Sequence, residues 1–200
     1  MSSSNARWMS IAVAAAVLSL AGSARAGHHS WDFTEIFSNS SGTVQFVELF
    51  CPANGEDGLG PWTITAGANT FTFVTNLPSA TTLNTWVLIG TTAFSLLSGA
   101  PTPDYVLPAS FFSTAGGTLN YASGADSWTY GTVPTNGVLS LLRNGSTATN
   151  TPKNFAGTQG SVNAGGPPPV PSIAAWGLVL LVGAMLVVAS GVLRRSAASV

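Results

Sequence analysis

Residues 43–50 read TVQFVELF, and this stretch decides the fold. Val44, Phe46, Val47 and Leu49 mix with Gln45 and Glu48 at the spacing of a strand, and a run of this length bounded by turn residues is too short for a stable helix. Working outward, the same signature recurs at 31–37, 62–65, 70–74, 85–89, 104–107, 118–121, 127–130 and 138–142. Residues 71–73 (FTF) alternate cleanly. Glycine, proline and asparagine clusters separate the runs at 39–42, 52–61, 67–69, 99–103, 116–117 and 134–137. No stretch between 30 and 164 sustains apolar residues at i, i+3, i+4 and i+7, and 92–97 offers at most a helical turn. Many short strands with turns at such intervals predict an all-β, antiparallel β-sandwich over residues 27–164. Phe46, Val47, Leu49, Trp62, Ile64, Phe71, Phe73, Trp86 and Leu88 are the expected core, each contributing about 1.5–3 kcal/mol when fully buried.

Charge is sparse, at 6% of 200 residues, against roughly 25% in ordinary soluble domains. Its placement is informative. All seven acids, Asp32, Glu35, Glu48, Glu56, Asp57, Asp104 and Asp126, lie in the middle, balanced there only by Arg143 and Lys153. An acidic middle without a Lys/Arg cluster argues against nucleic acid as a partner. Cys51 is the only cysteine, so no disulfide forms within the chain, and the expectation is a small buried hydrophobe beside a strand. Glu35 and Glu48 fall on strands, where an inward charge needs a partner. Facing solvent, or accepting hydrogen bonds from a loop, is expected over a shared cation.

The two ends differ from the middle. Residues 1–26 read as a signal peptide: Arg7 is the basic flank, 9–21 is the apolar segment, and Ala24-Arg25-Ala26 is a small-x-small cleavage pattern with Gly27 as the first mature residue. A retained amino-terminal anchor is the alternative. A Gly27-His28-His29 start would set a histidine third from a free amine. That is the donor pattern of a square-planar Cu(II) or Ni(II) site, against the alternative of two solvated histidines. No cofactor is expected elsewhere, since the turn 54–58 (NGEDG) lacks the ligand spacing of a calcium loop.

Residues 165–171 (GGPPPVP) form a Gly/Pro-rich spacer, extended where prolines run together. Residues 173–193 carry no charge; as a helix they would cover about 30 Å, the thickness of a bilayer core. The expected transmembrane helix occupies 172–193, with 194–200 as a basic cytoplasmic tail headed by Arg194 and Arg195.

Two resemblances add to these readings. Phe33-Thr34-Glu35-Ile36-Phe37-Ser38-Asn39, then Phe46-Val47-Glu48-Leu49, then Asp57-Gly58-Leu59-Gly60-Pro61-Trp62-Thr63-Ile64, and finally the G-x-x-P-x-x-G-x-x-x-L-x-R stretch at 131–143 resemble the strands of lamin-tail domains. Gly58 and Pro61 depart from the usual Asp-Leu-x-Gly-Trp pattern. The resemblance covers about 31–162 and implies an immunoglobulin-like sandwich, usually an accessory or binding module. At the other end, Val170-Pro171-Ser172-Ile173, Trp176-Gly177, the apolar segment and Arg194-Arg195 resemble the IPTL-CTERM sorting signal, a relative of PEP-CTERM signals. That implies an exosortase-type enzyme as a partner, beside the signal peptidase expected to act at Ala24-Arg25-Ala26. It also implies an inner-membrane intermediate, then delivery to the bacterial cell envelope, outer surface or extracellular matrix. A plain membrane anchor is the alternative.

No Gly-x-Ser-x-Gly elbow, P-loop or His-Glu-x-x-His occurs in the chain, and both histidines lie at the expected mature terminus. The expectation is therefore a non-enzymatic module for a surface glycan or protein ligand. A secreted hydrolase using surface carboxylates and a permanently membrane-anchored binding domain are its competitors.

Overall fold

A computed structural model describes residues 27–165. The signal peptide (1–26), the remainder of the spacer, the expected membrane helix (172–193) and the basic tail lie outside the described residues. So do the sorting positions Val170, Pro171, Ser172, Ile173, Trp176, Gly177, Arg194 and Arg195, and the cleavage positions Ala24 and Ala26. No helix among the described residues is long and apolar enough to cross a membrane.

The described residues form an all-β sandwich of two sheets. Ten strands appear in chain order: β1 (Asp32–Ser38), β2 (Gln45–Cys51), β3 (Thr63–Ala66), β4 (Asn69–Thr72), β5 (Thr85–Thr91), β6 (Tyr105–Leu107), β7 (Gly117–Tyr121), β8 (Asp126–Tyr130), β9 (Leu139–Leu142) and β10 (Thr147–Thr149). One helical turn, α1 (Thr92–Ser95), follows β5 and is capped by the Thr91 hydroxyl. The larger sheet runs β10-β9-β1-β2-β5-β6, and the smaller runs β4-β3-β7-β8. The nine expected strands all form, with ends shifted by a few residues. Pairing is antiparallel with one exception. β5 and β6 are parallel, because α1 and the 96–104 turn carry the chain back before it re-enters the sheet edge.

Alternation along the strands sorts side chains to two faces. Val47, Leu49 and Cys51 of β2, with Val87 and Ile89 of β5, point between the sheets and meet Ile64, Phe71, Leu119, Tyr121 and Trp128 in the main core. Phe46 and Leu88 point to the other face of the larger sheet. There Phe37, Phe94 and Val162 complete a second, smaller core, and Phe46 packs edge-on against Phe94 at 5.3 Å. This second core exists because residues 150–164, together with α1, cover that face as a strap. Trp62 and Trp86, both expected inside, are only partly buried. Trp62 packs against the rim of the main core, and Trp86 lies on the outer face against Phe50, with the Lys153 ammonium 3.5 Å from its ring centre.

Two features fix the sheet register. β1 carries a bulge between Phe33 and Glu35, which leaves Thr34 unpaired and turns Phe33 toward the smaller sheet. The Asp126 carboxylate accepts the freed Phe33 N–H at 2.8 Å and a two-pronged ion pair from Arg143, at 3.0 and 2.8 Å. Arg143 follows β9 in one sheet and Asp126 opens β8 in the other, so this pair staples the two layers.

Candidate functional site

Most of the carboxylates of the sandwich are occupied in holding the chain's own backbone. Glu35 and Glu48 are directly opposed in the β1–β2 register. Glu35 accepts the Thr151 N–H at 3.0 Å and its hydroxyl at 3.1 Å. Glu48 accepts the Thr34 hydroxyl at 2.7 Å and the Lys153 N–H at 2.8 Å. Loop support is thus the role both fill, as the sequence suggested. Burial pushes the Glu48 carboxyl up to about 7; the Thr34 hydrogen bond opposes the shift and Glu35 adds to it. Asp104 accepts the N–H groups of Leu88 and Phe155, each at 2.9 Å, and burial raises it too. Glu35, Glu48 and Asp104 together pin residues 151–155 of the strap. Cys51 ends β2 fully buried, its thiol 3.2 Å from the Ala53 carbonyl and raised by burial, an inert position as expected.

The groove best suited to a ligand opens at one end of the sandwich. It is a cleft of about 520 Å³ between the 40–42 turn, the β3–β4 turn and the 110–118 segment, within the size range of ligand sites. Ser40, Ser41, Asn69, Ser110, Thr114 and Thr118 face it, and no charged residue lines it. Its floor is rigid. Gln45 is fully buried; its carbonyl oxygen accepts the N–H of Phe111 at 2.8 Å, and its amide donates to the Phe112 carbonyl at 2.9 Å and to the Ser38 hydroxyl at 3.2 Å. Asn69 donates to the Phe111 carbonyl at 2.7 Å, and the Ser110 N–H donates to the Gly42 carbonyl at 2.8 Å. These contacts join both walls to the sheet, so the cleft is largely formed before anything enters it. Sequence reading missed it. Its polar groups come from three separate turns, and the one local signal was a glutamine at an inward strand position, where a polar amide must find partners.

A second cleft, of about 580 Å³, surrounds the expected mature terminus and is lined by Gly27, His28, His29, Gly58, Gly60, Pro61, Trp62 and Asn76. His28 does not float in solvent. It is buried and stacked on Trp62, ring centres 3.7 Å apart and planes at 16°. Burial, aided by His29 and opposed by Glu56, lowers its pKa, so the ring is neutral at physiological pH. His29 is exposed, its ring centre 3.6 Å from that of His28. Among the described residues no group of three or more His, Cys, Asp or Glu side chains is placed to hold a metal ion. No protein-family model, curated protein or solved structure matches the chain.

Proposed function

We propose that the protein is an exported, non-enzymatic binding or structural module of the bacterial envelope or extracellular matrix. On this reading it is a lamin-tail-like, immunoglobulin-like sandwich, released by a signal peptidase at one end and sorted by an exosortase-type enzyme at the other. The observation that carries the binding role is the uncharged, hydroxyl-lined cleft above Gln45. Ser and Thr hydroxyls both donate and accept, so they match a neutral, hydroxyl-rich ligand. A charged ligand would find no counter-charge among the lining residues. A surface glycan fits this chemistry. The test is binding of the purified exported protein to a panel of neutral and acidic glycans. Binding to neutral members, lost when the cleft is filled, supports the reading; binding confined to acidic members overturns it.

The sorting role rests on the order of the tail motifs alone. Its test is the mass of the exported protein: loss of residues beyond the Val170-Pro171-Ser172-Ile173 region supports sorting, and an intact C-terminal helix supports a permanent anchor instead.

One observation favours the hydrolase reading. Glu48, with a carboxyl near 7 beside Glu35, has the ionisation of a general acid. Against it, neither residue lines either cleft described above, and strap amides occupy both carboxylates. Turnover of any glycan that disappears in Glu48→Gln would establish the enzyme.

A further inference from the structure

The chain folds tightly around Gly27, the residue expected to become the mature amino terminus. The Gly27 N–H donates to the Gly55 carbonyl at 2.6 Å, and the Gly27 carbonyl accepts the Gly58 N–H at 2.9 Å. Downstream, the His28 carbonyl accepts the Tyr121 hydroxyl at 2.7 Å, and the Trp31 indole donates to the Glu56 carbonyl at 2.7 Å. Residues 27–31 are thereby wrapped on the 55–58 turn and tied to β7. The Glu56 carboxylate lies against Gly27. A Cβ at position 27 would sit 2.5–2.9 Å from all three carboxyl atoms, so only glycine leaves the carboxylate where it is. Among the described residues that carboxylate is poorly served, its one hydrogen bond being a 3.3 Å contact from the Ser30 N–H. A carboxylate beside Gly27 with a single long hydrogen bond among the described residues gains most from a cationic donor.

We infer that the 55–58 turn is a binding site for the chain's own new amino terminus, with the Glu56 carboxylate and the Gly55 carbonyl receiving the α-ammonium of Gly27 after leader removal. The inference rests on the export reading above. Before cleavage the Gly27 nitrogen is a neutral amide whose single hydrogen is spent on Gly55. Hydrolysis of the Ala26–Gly27 bond puts the hydroxyl of water on the Ala26 carbonyl carbon. The nitrogen gains water's other hydrogen and then a proton from solvent, which gives a cation with three donors. One donor keeps Gly55, and the others face the Glu56 carboxylate as charge-assisted hydrogen bonds. The leader peptide is therefore more than an address, because its removal creates the group that completes this corner of the fold. The ammonium stands at the rim of the His28–Trp62 cleft, where it offsets the Glu56 charge only in the processed protein.

The experiment compares the exported protein with the same protein retaining Ala26, each with and without Glu56→Gln. First, the mass of the exported chain must show Gly27 as residue one; any other start overturns the inference and leaves the cleft-binding reading untouched. Next, thermal unfolding is followed at pH 6 and pH 10. An ammonium held by a carboxylate keeps its proton above the ordinary α-amino range of about 8. Its stabilisation is complete below that value and is lost as pH rises through the raised one. The expected result is a Tm several degrees higher for the Gly27 start at pH 6, a gap that closes at pH 10 and is absent in the Glu56→Gln pair. Equal Tm values at pH 6, or a gap that survives Glu56→Gln, overturn the capture. If Glu56→Gln does not fold, Gly27→Ala, which pushes the carboxylate aside, must erase the gap in its place.

Discussion

Glu48 sits directly across from Glu35 in the β1–β2 register, and each carboxylate holds a backbone N–H of the same strap, Lys153 and Thr151 respectively. Two like charges in neighbouring positions normally repel. Here the cost is lowered because Glu48 is protonated over much of the acidic range while Glu35 is served by two donors from Thr151.

Glu48 gives the fold a defined pH response. Its folded value of about 7 lies above its ordinary 4.5. Between these values the folded protein keeps a proton that the unfolded chain has released, so stability falls as pH rises through that window. It is level below about 4.5 and again above about 7, the full change being at most about 3 kcal/mol. Glu48→Gln can still accept from Lys153 and donate to Thr34. It should match the parent at pH 4 and exceed it at pH 8 in urea unfolding.

Arg143→Met should destabilise the domain by about 2 kcal/mol, since it strips the charged partner from a buried Asp126 that, among the described residues, keeps only the Phe33 N–H. Urea midpoints at neutral pH measure this.

Asn150 ties both ends of the strap to β9. Its side chain donates to the Val138 and Val162 carbonyls at 2.7 and 2.8 Å and accepts the Val162 N–H at 2.8 Å. Asn150→Leu orphans the Val162 N–H and carbonyl, while the Val138 carbonyl keeps the Asn150 N–H, and should cost about 3 kcal/mol. Hydrogen exchange should quicken at Val162 and on the outer-face strands before it quickens in β3 and β7.

Filling the cleft separates binding from stability. Thr118 lines it and pairs only with the exposed Thr129 hydroxyl at 2.9 Å. Thr118→Trp should abolish retention of a neutral glycan while moving Tm by about 2 °C or less, as surface changes generally do.

Strands were legible wherever a β-rich run met a turn signal, which is why all nine expected ones formed. β10 was missed because Thr147-Ala148-Thr149 is short and without large apolar residues. Asn144-Gly145, with Gly145 at φ +83°, is the hairpin signal that announced it. The core was read as one when it is two. Phe46 and Leu88 were rightly expected inside, yet they bury against a strap whose own sequence, polar and proline-bearing, carries no periodicity. Trp86 was expected inside because large aromatics usually are; the Lys153 ammonium over its ring explains its place at the surface. Glu35 and Glu48 showed in the sequence as charges needing partners, but the partners come from 116 and 105 residues away in the chain. No local pattern encodes such a contact.

The strap is also the last part of the domain before the chain enters its proline run at residue 167. A pull on that end is mechanical load, and it reaches the strap first. Asn150, Glu35, Glu48 and Asp104 are the side chains that fasten the strap through main-chain contacts. Two of those four, Glu48 and Asp104, are carboxylates raised by burial, and their grip changes with protonation. For a domain held by its tail, the acidity of its surroundings would set how hard it can be tugged before its outer core opens.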